Sequence, residues 1–351
     1  MGKLHFGQAG EERGSMVKDT SSAVLAGDVG GTKTNLAIFD LSSFPGPPIA
    51  EATFRSRDYH GVDDILGEFL SRLDFKVERA ALGVAGPVLD GRTKVTNLPW
   101  IVDERDLMER LGLKSLKLLN DLVALANAVP VLGPKDLLVL NEGSPDPKGT
   151  RAVIAPGTGL GQAFLTWCPE GCRAYPSEGG HADFAPRGKL QVRLLEYLGK
   201  SREHVSYEHV ASGNGLLEIY RFLKESGYSE PPWLRDEIVA VDDPVPLILK
   251  HAADDGPACS ICEKTLSVFL SVFGAAAGNV ALHFMATGGV YLGGGIPPRI
   301  TGALQGADFR KAFGSKGRFS GLVEDIPLYV IMNPRSALLG AARYISLAGL
   351  L

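Results

Sequence analysis

Val24-Leu-Ala-Gly-Asp-Val-Gly-Gly-Thr-Lys-Thr34 runs without a break into Asn35-Leu-Ala-Ile-Phe-Asp40. The apolar residues up to Gly27 predict a strand, the glycines a tight turn, and the residues after Lys33 a second strand. The stretch nearly matches a P-loop. However, Thr32 stands where that pattern needs glycine, and a strand follows where a P-loop needs a helix. The same unit recurs at Ala152-Val-Ile-Ala, which leads into Pro156-Gly-Thr-Gly-Leu-Gly161 before Gln162-Ala-Phe-Leu resumes the strand. Its glycine spacing, with no helix behind it, fails the dinucleotide pattern. Two strand–turn–strand units predict an α/β chain of two related lobes with a ligand cleft between them.

Working outward, Ala80-Ala-Leu-Gly-Val-Ala-Gly-Pro is a strand ending in a glycine turn, and Leu116-Lys-Leu-Leu-Asn-Asp passes directly into a helix over 122–129. Helices are expected at 62–73, 190–199, 213–226 and 258–286. Gly288–Ile296 reads as a glycine-rich strand, and a closing helix starts near Ser336. The predicted organisation is a flexible leader over 1–21 and a small α/β domain over 22–131 completed by 333–351. A large α/β domain spans 132–332.

The 351 residues carry 36 Lys plus Arg against 40 Asp plus Glu, a net charge of −4. That balance offers no basic footprint for nucleic acid and no polybasic membrane patch. With 45% hydrophobic and 22% charged residues the chain is globular, not disordered. Its 43 glycines cluster in short runs, as they do where backbone must approach something closely. Four cysteines are too few for a small secreted disulfide scaffold. With no N-Xaa-Ser/Thr site and no apolar signal core near the start, the expected compartment is the cytoplasm. The uncharged stretch between Lys264 and Arg299 contains Gly274-Ala-Ala-Ala-Gly278, a pattern seen in membrane helices. Ser267, Ser271, Asn279, His283 and Thr287 form a polar stripe opposite Leu266, Phe269, Leu270 and Phe273. A buried helix against which a neighbour packs closely fits that pattern better than a membrane span.

Several residues have both a chemical and a plain structural reading. Gly30, Gly31 and Thr32, like Gly157, Thr158 and Gly159, offer backbone N–H groups and a hydroxyl to phosphate oxygens, or are simply structural hairpins. Asp28 at the mouth of the first turn would repel phosphate unless Mg²⁺ lay between them; alternatively it bonds its own turn. Asp121 caps the helix it opens, or acts as general base toward a hydroxyl attacking phosphorus. Asn120 beside it can donate and accept, as sugar hydroxyls require. Ser177-Glu-Gly-Gly-His181 brings Glu178 and His181 three residues apart on a loop. Glu208 lies near a helix start, where it would favour the dipole. Cys259 and Cys262 sit at a predicted helix start, where thiol pKa values fall. A zinc site there would need Cys168 and Cys172 as well, and free thiols are expected instead.

Val24-Leu-Ala-Gly-Asp-Val-Gly-Gly-Thr-Lys, Leu119-Asn-Asp, Ile154-Ala-Pro-Gly-Thr-Gly-Leu-Gly, Pro176-Ser-Glu-Gly-Gly-His-Ala-Asp-Phe-Ala-Pro and Gly288-Gly-Val-Tyr-Leu-Gly-Gly-Gly-Ile-Pro occur in one order from about residue 23 to the C-terminus. Together they resemble the bacterial glucokinases. The first motif is common to the wider superfamily of sugar kinases, heat-shock chaperones and actin. The resemblance implies two actin-like, ribonuclease H-like lobes and phosphorylation of glucose at its 6-hydroxyl by ATP–Mg²⁺. By position, Asp121 matches the catalytic base, and Asn120, Asp121, Glu178, His181 and Glu208 match the sugar ligands. Gly30, Gly31, Thr32, Gly157, Thr158 and Gly159 match the phosphate loops, with Asp28 near the metal. Gly293, Gly294 and Gly295 match the adenosine segment. Lys33 departs from the asparagine of many long-chain members and is like the zinc-containing repressor and kinase relatives. The cysteine-rich knuckle of those relatives does not follow His181, so no structural zinc is expected. A homodimer is the expected assembly. The alternatives are a kinase for mannose, fructose or an N-acetylated sugar, or a non-catalytic sugar sensor on the same fold.

Overall fold

The computed structural model describes residues 5–6, 22–169, 171–253 and 258–348. Contacts divide the chain into two units, Met1–Gly133 with Cys172–Pro176 and Asn333–Leu351, and Pro134–Gly171 with Ser177–Met332. The sequence reading had placed Cys172–Pro176 in the second unit. These residues join the first because the Arg343 guanidinium donates to the Cys172 carbonyl at 3.2 Å and Ala174 packs with Leu119, Val123 and Tyr344. Part of the expected leader is ordered: β1 (His5–Phe6) pairs antiparallel with β4, and the rest of 1–21 lies outside the described residues.

The first unit follows the order β2 (Ala23–Val29), β3 (Lys33–Asp40), β4 (Ala50–Arg55), α1 (Val62–Leu70), β5 (Arg79–Val84), β6 (Arg92–Lys94), β7 (Ile101–Asp103), α2 (Glu104–Leu111), β8 (Ser115–Asn120) and α3 (Asp121–Ala128). Its sheet runs β1-β4-β3-β2-β5-β8, antiparallel through β4, β3 and β2 and parallel from β2 through β5 to β8. The run Ala23–Ala26 is apolar throughout because both faces of β2 are covered. Leu25 and Val29 pack with Ile65, Leu66 and Phe69 of α1. Val24 and Ala26 pack with Ala341, Ala342 and Ile345 of the closing helix α12 (Ser336–Ala348). That helix lies close against α3: a Cβ on Gly340 would come within 1.7 Å of the Ala124 carbonyl oxygen, so only glycine fits.

The second unit contains β9 (Leu137–Asn141), β10 (Arg151–Pro156), β11 (Leu160–Cys168), the end residues of β12 (Gly171–Ser177), α4 (Gly188–Gly199), α5 (Gly213–Glu225), α6 (Pro232–Val239), α7 (Val245–Ala252), α8 (Ser260–His283), β13 (Gly289–Leu292), α9 (Thr301–Leu304), α10 (Ala307–Gly314), α11 (Ser320–Glu324) and β14 (Leu328–Ile331). The sheet order is β12-β11-β10-β13-β14-β9. Leaving aside the edge strands β1 and β9, both sheets read third-second-first-fourth-fifth in chain order, with the first two strands antiparallel and the fourth parallel to the first. The repeat predicted from the two glycine turns is therefore a repeat of topology. The expected strand over 288–296 is shorter than predicted, since Gly293–Gly295 leave the sheet as a turn.

Helix α8 is long and apolar enough to cross a bilayer, but 78% of its most apolar window is buried inside the unit. Cβ atoms on Gly274 and Gly278 would lie 2.4 Å from the Phe309 and 2.3 Å from the Phe313 carbonyl oxygens, so these glycines let α10 close on α8. Its polar stripe faces partners within the unit: Ser271 accepts from Gln191, and Asn279 bonds Tyr207 and Lys316. A core helix explains this segment.

Candidate active site

In the first unit, β2 and β3 close on Gly30, Gly31 and Thr32. The Gly30 N–H donates to the Lys33 carbonyl, the Ser56 hydroxyl to the Gly30 carbonyl, and the Ser56 N–H to the Thr32 carbonyl. The turn is braced by its carbonyls. Asp28 and Asn35 are cross-strand neighbours, and the Asn35 amide donates to the Asp28 carboxylate at 3.2 Å. Asn35 in turn accepts from Thr53 on the next strand, at 2.9 Å. Burial pushes the Asp28 carboxyl above its usual range, and the Asn35 bond offsets part of that rise.

β8 delivers Asn120 and Asp121 to the start of α3, where the reading of Asp121 as the helix cap is corrected. Asn120 is the N-cap, its Oδ1 accepting from the Leu122 and Val123 N–H groups, while its Nδ2 donates to the Gly86 carbonyl. Asp121 is the first helical residue, its Oδ1 accepting from Leu122 N–H at 2.9 Å. Asn and Asp cap equally well, so composition could not choose between adjacent residues; the extended backbone of Asn120 does. The sequence reads Gly86 only as part of a turn and gives no reading of 88–97. Gly86 fixes Asn120, and a Cβ on Gly31 would come 3.0 Å from the Thr96 carbonyl oxygen and 3.4 Å from Asn97 Cβ. Asn97 has φ of 64°, a left-handed conformation that asparagine tolerates better than most residues.

In the second unit the candidate residues converge on one stretch of backbone. The Gly157–Gly159 turn closes through Gly157 N–H to the Gly159 carbonyl, and Gly213, at the start of α5, donates to the Gly157 carbonyl. Gly294 takes a φ of 81°, and a Cβ there would lie 2.6 Å from the Pro156 carbonyl oxygen, so Gly293–Gly295 pass directly beside that turn. Leu160 then begins β11. Its N–H donates to the Glu208 carboxylate at 2.8 Å, and its carbonyl oxygen would be only 1.9 Å from a Cβ on Gly180. The Glu178–His181 turn and Glu208 therefore flank the same residue. Glu178 and His181 are exposed and Glu208 is half-buried.

Glu208 sits in a single 3-10 turn over Tyr207–His209, and its carboxylate bonds Leu160, which replaces the expected helix-dipole role. Cys259 and Cys262 are free thiols, as expected, but the lowered pKa of a helix start does not apply to Cys262. Cys262 and Cys259 are buried, and burial together with the Cys259 bond drives the Cys262 thiol pKa up, overriding any lowering at the start of α8. Among the described residues, no group of three or more His, Cys, Asp and Glu is placed to hold a metal.

The Glucokinase family model matches residues 25–348. The glucokinase of Nostoc punctiforme is 37% identical over 333 residues, covering 91% of this chain and 97% of the relative. The chain belongs to the glucokinase family. Its fold agrees: the crystal structure of a glucokinase from an Antarctic psychrotroph superposes with a TM-score of 0.79 at 31% identity, covering 93% of this chain and 99% of that one. A glucokinase of Balamuthia mandrillaris, crystallised with glucose, shares the fold at a TM-score of 0.74 and 22% identity, covering 93% and 94%. The α/β architecture expected from the two glycine turns is the actin-like sugar-kinase fold of these glucokinases.

Proposed function

We propose that this member of the glucokinase family transfers the γ-phosphoryl group of ATP to the 6-hydroxyl of glucose, giving glucose 6-phosphate and ADP. One observation carries the reading: Leu160, at the end of the Gly157–Gly159 turn, meets Glu208 through its N–H and Gly180 of the Glu178–His181 turn through its carbonyl. Three residues able to bond hydroxyls thus stand beside a turn suited to phosphate. In this reading they hold the sugar. The Gly157–Gly159 and Gly30–Thr32 turns bind the phosphates, and Gly293–Gly295 receives the adenosine. Asp121 takes the 6-hydroxyl proton as that oxygen attacks phosphorus and ADP departs. Asn120 keeps one amide hydrogen for the sugar while it caps α3. Enzymes of this class work as positioning and charge-stabilising frames, so the braced turns matter as much as the base.

Mg²⁺ is implied, and Asp28 fits it. Its carboxyl is held up in pKa by desolvation, a state that a neighbouring cation relieves. Mg²⁺ is usually held by one or two carboxylates with water and substrate phosphates, and when bound it neutralises phosphate charge. The cytoplasm is the proposed compartment and a homodimer the proposed assembly; the family resemblance supports both. The test is ADP release on adding single sugars to the chain with MgATP, over glucose, mannose, fructose and N-acetylated sugars. Glucose should give the highest kcat/KM, and release that ignores glucose would contradict the reading. Glu178→Gln should raise the KM for glucose by about tenfold or more, since a site built to bond a hydroxyl loses most when a polar partner is mismatched. The KM for ATP should move far less, and the reverse pattern would take Glu178 out of the sugar site.

A further inference from the structure

After His181 the chain runs beside the segment that carries Glu208. Tyr207 N–H donates to the Ala182 carbonyl, Phe184 N–H to the Val205 carbonyl, and Asp183 bridges Ser206. Tyr207 is the joint between them. Its buried ring meets Phe184 edge-on at 5.8 Å, and the backbone of Ala185 bonds its hydroxyl. That hydroxyl also accepts from Asn279 Nδ2 of α8 at 2.9 Å. Asn279 is oriented from its other end, where its Oδ1 accepts from the Lys316 amine at 2.6 Å; the same amine donates to the Ala275 carbonyl at 2.9 Å. Lys316 follows α10 and has no room to wander, since a Cβ on Gly278 would be 2.5 Å from its Cε. Arg187, six residues after His181, donates to Ala312 and Ser315 on the same α10 stretch.

A chain of three polar side chains thus runs from Lys316, just after α10, through Asn279 on the core helix α8 to Tyr207, the residue before Glu208. An amide that accepts from lysine at one end must donate at the other, so the amine fixes which way Asn279 meets Tyr207. Keeping an amine here is costly: burial and then Arg187 push the Lys316 pKa down to about 8. An apolar side chain would fill the space without that cost and without orienting anything.

We propose that Asn279 and Lys316 are positioning residues of the sugar site, acting through the Tyr207 hydroxyl to set the spacing between the Glu178–His181 turn and Glu208. The inference rests on the reading of that site as the glucose site. It is tested by measuring kcat and both KM values for Lys316→Met, Tyr207→Phe and the double variant. Coupled buried partners predict that each single change raises the KM for glucose by about tenfold, with kcat and the KM for ATP nearly unmoved, and that the double variant is no worse than either single. Additive effects, an unmoved KM for glucose, or an equal rise in the KM for ATP would each overturn it. Should Lys316→Met not fold, Asn279→Leu cuts the same link and carries the same expectation. Absence of glucose turnover in the unmodified chain would overturn the reading and this inference together, whereas turnover without the KM split overturns this inference alone.

Discussion

Asp121→Asn should leave a folded protein that still binds glucose and turns it over about 10²–10⁴-fold more slowly, the usual worth of a positioned general base. The substitution is nearly isosteric. Asparagine keeps an oxygen that can accept from the Leu122 N–H, the bond that fixes Asp121 at the start of α3. Asn120, not Asp121, caps the helix, so the change removes no cap. What it removes is the capacity to accept a proton as the hydroxyl oxygen attacks. Because the loss falls on the chemical step, kcat should carry it, while glucose affinity measured by calorimetry should stay within about threefold. A folded Asp121→Asn protein with near-normal kcat would remove Asp121 from the role.

Gly180→Ala should be the most damaging single-methyl change in the second unit's site. Its Cβ would lie 1.9 Å from the Leu160 carbonyl oxygen and 3.0 Å from the carbonyl carbon. Both are backbone atoms of a strand paired along β10, with Leu160 opposite Pro156, so they cannot swing aside as a side-chain tip can. The turn carrying Glu178 and His181 must therefore move off β11, or Leu160 must shift and take with it the N–H that holds Glu208. Overpacking costs about 1–3 kcal/mol even where side chains can adjust. A lowered melting temperature is expected, together with a KM for glucose raised by about tenfold or more, since 1.4 kcal/mol is a factor of ten. Gly199→Ala, where a Cβ meets nothing within 4 Å, should change neither and serves as the control. Normal glucose KM and stability in Gly180→Ala would show that the turn does not depend on its contact with Leu160.

Much of this architecture was legible because it rests on side-chain pattern. The apolar run before Asp28, the glycine-threonine turn and the resumed strand survive as β2 and β3, and their echo at Ala152–Leu165 as β10 and β11. What escaped rests on backbone, which has no residue signature. Leu160 reads as part of the glycine turn, yet it opens β11 and its N–H and carbonyl locate Glu208 and Gly180. Gly86 read only as a turn, although its carbonyl orients Asn120. Asn35 could have been found: it is a polar residue directly before the apolar run Leu36–Phe39, opposite Asp28 on one side and Thr53 on the other. The free thiols of Cys259 and Cys262 were legible, but the pKa direction of Cys262 was not: a helix start lowers a thiol pKa only when solvent or charge can stabilise the thiolate, and Cys262 is fully enclosed.

The most direct measurement of the central claim is phosphorus NMR of the product formed from the purified chain, MgATP and glucose. The account predicts one sugar phosphate, with phosphorus coupled to the two protons on carbon 6, accumulating in step with ADP and greatly slowed in Asp121→Asn. A phosphate on any other carbon, or ADP accumulating with inorganic phosphate and no sugar phosphate, would contradict it.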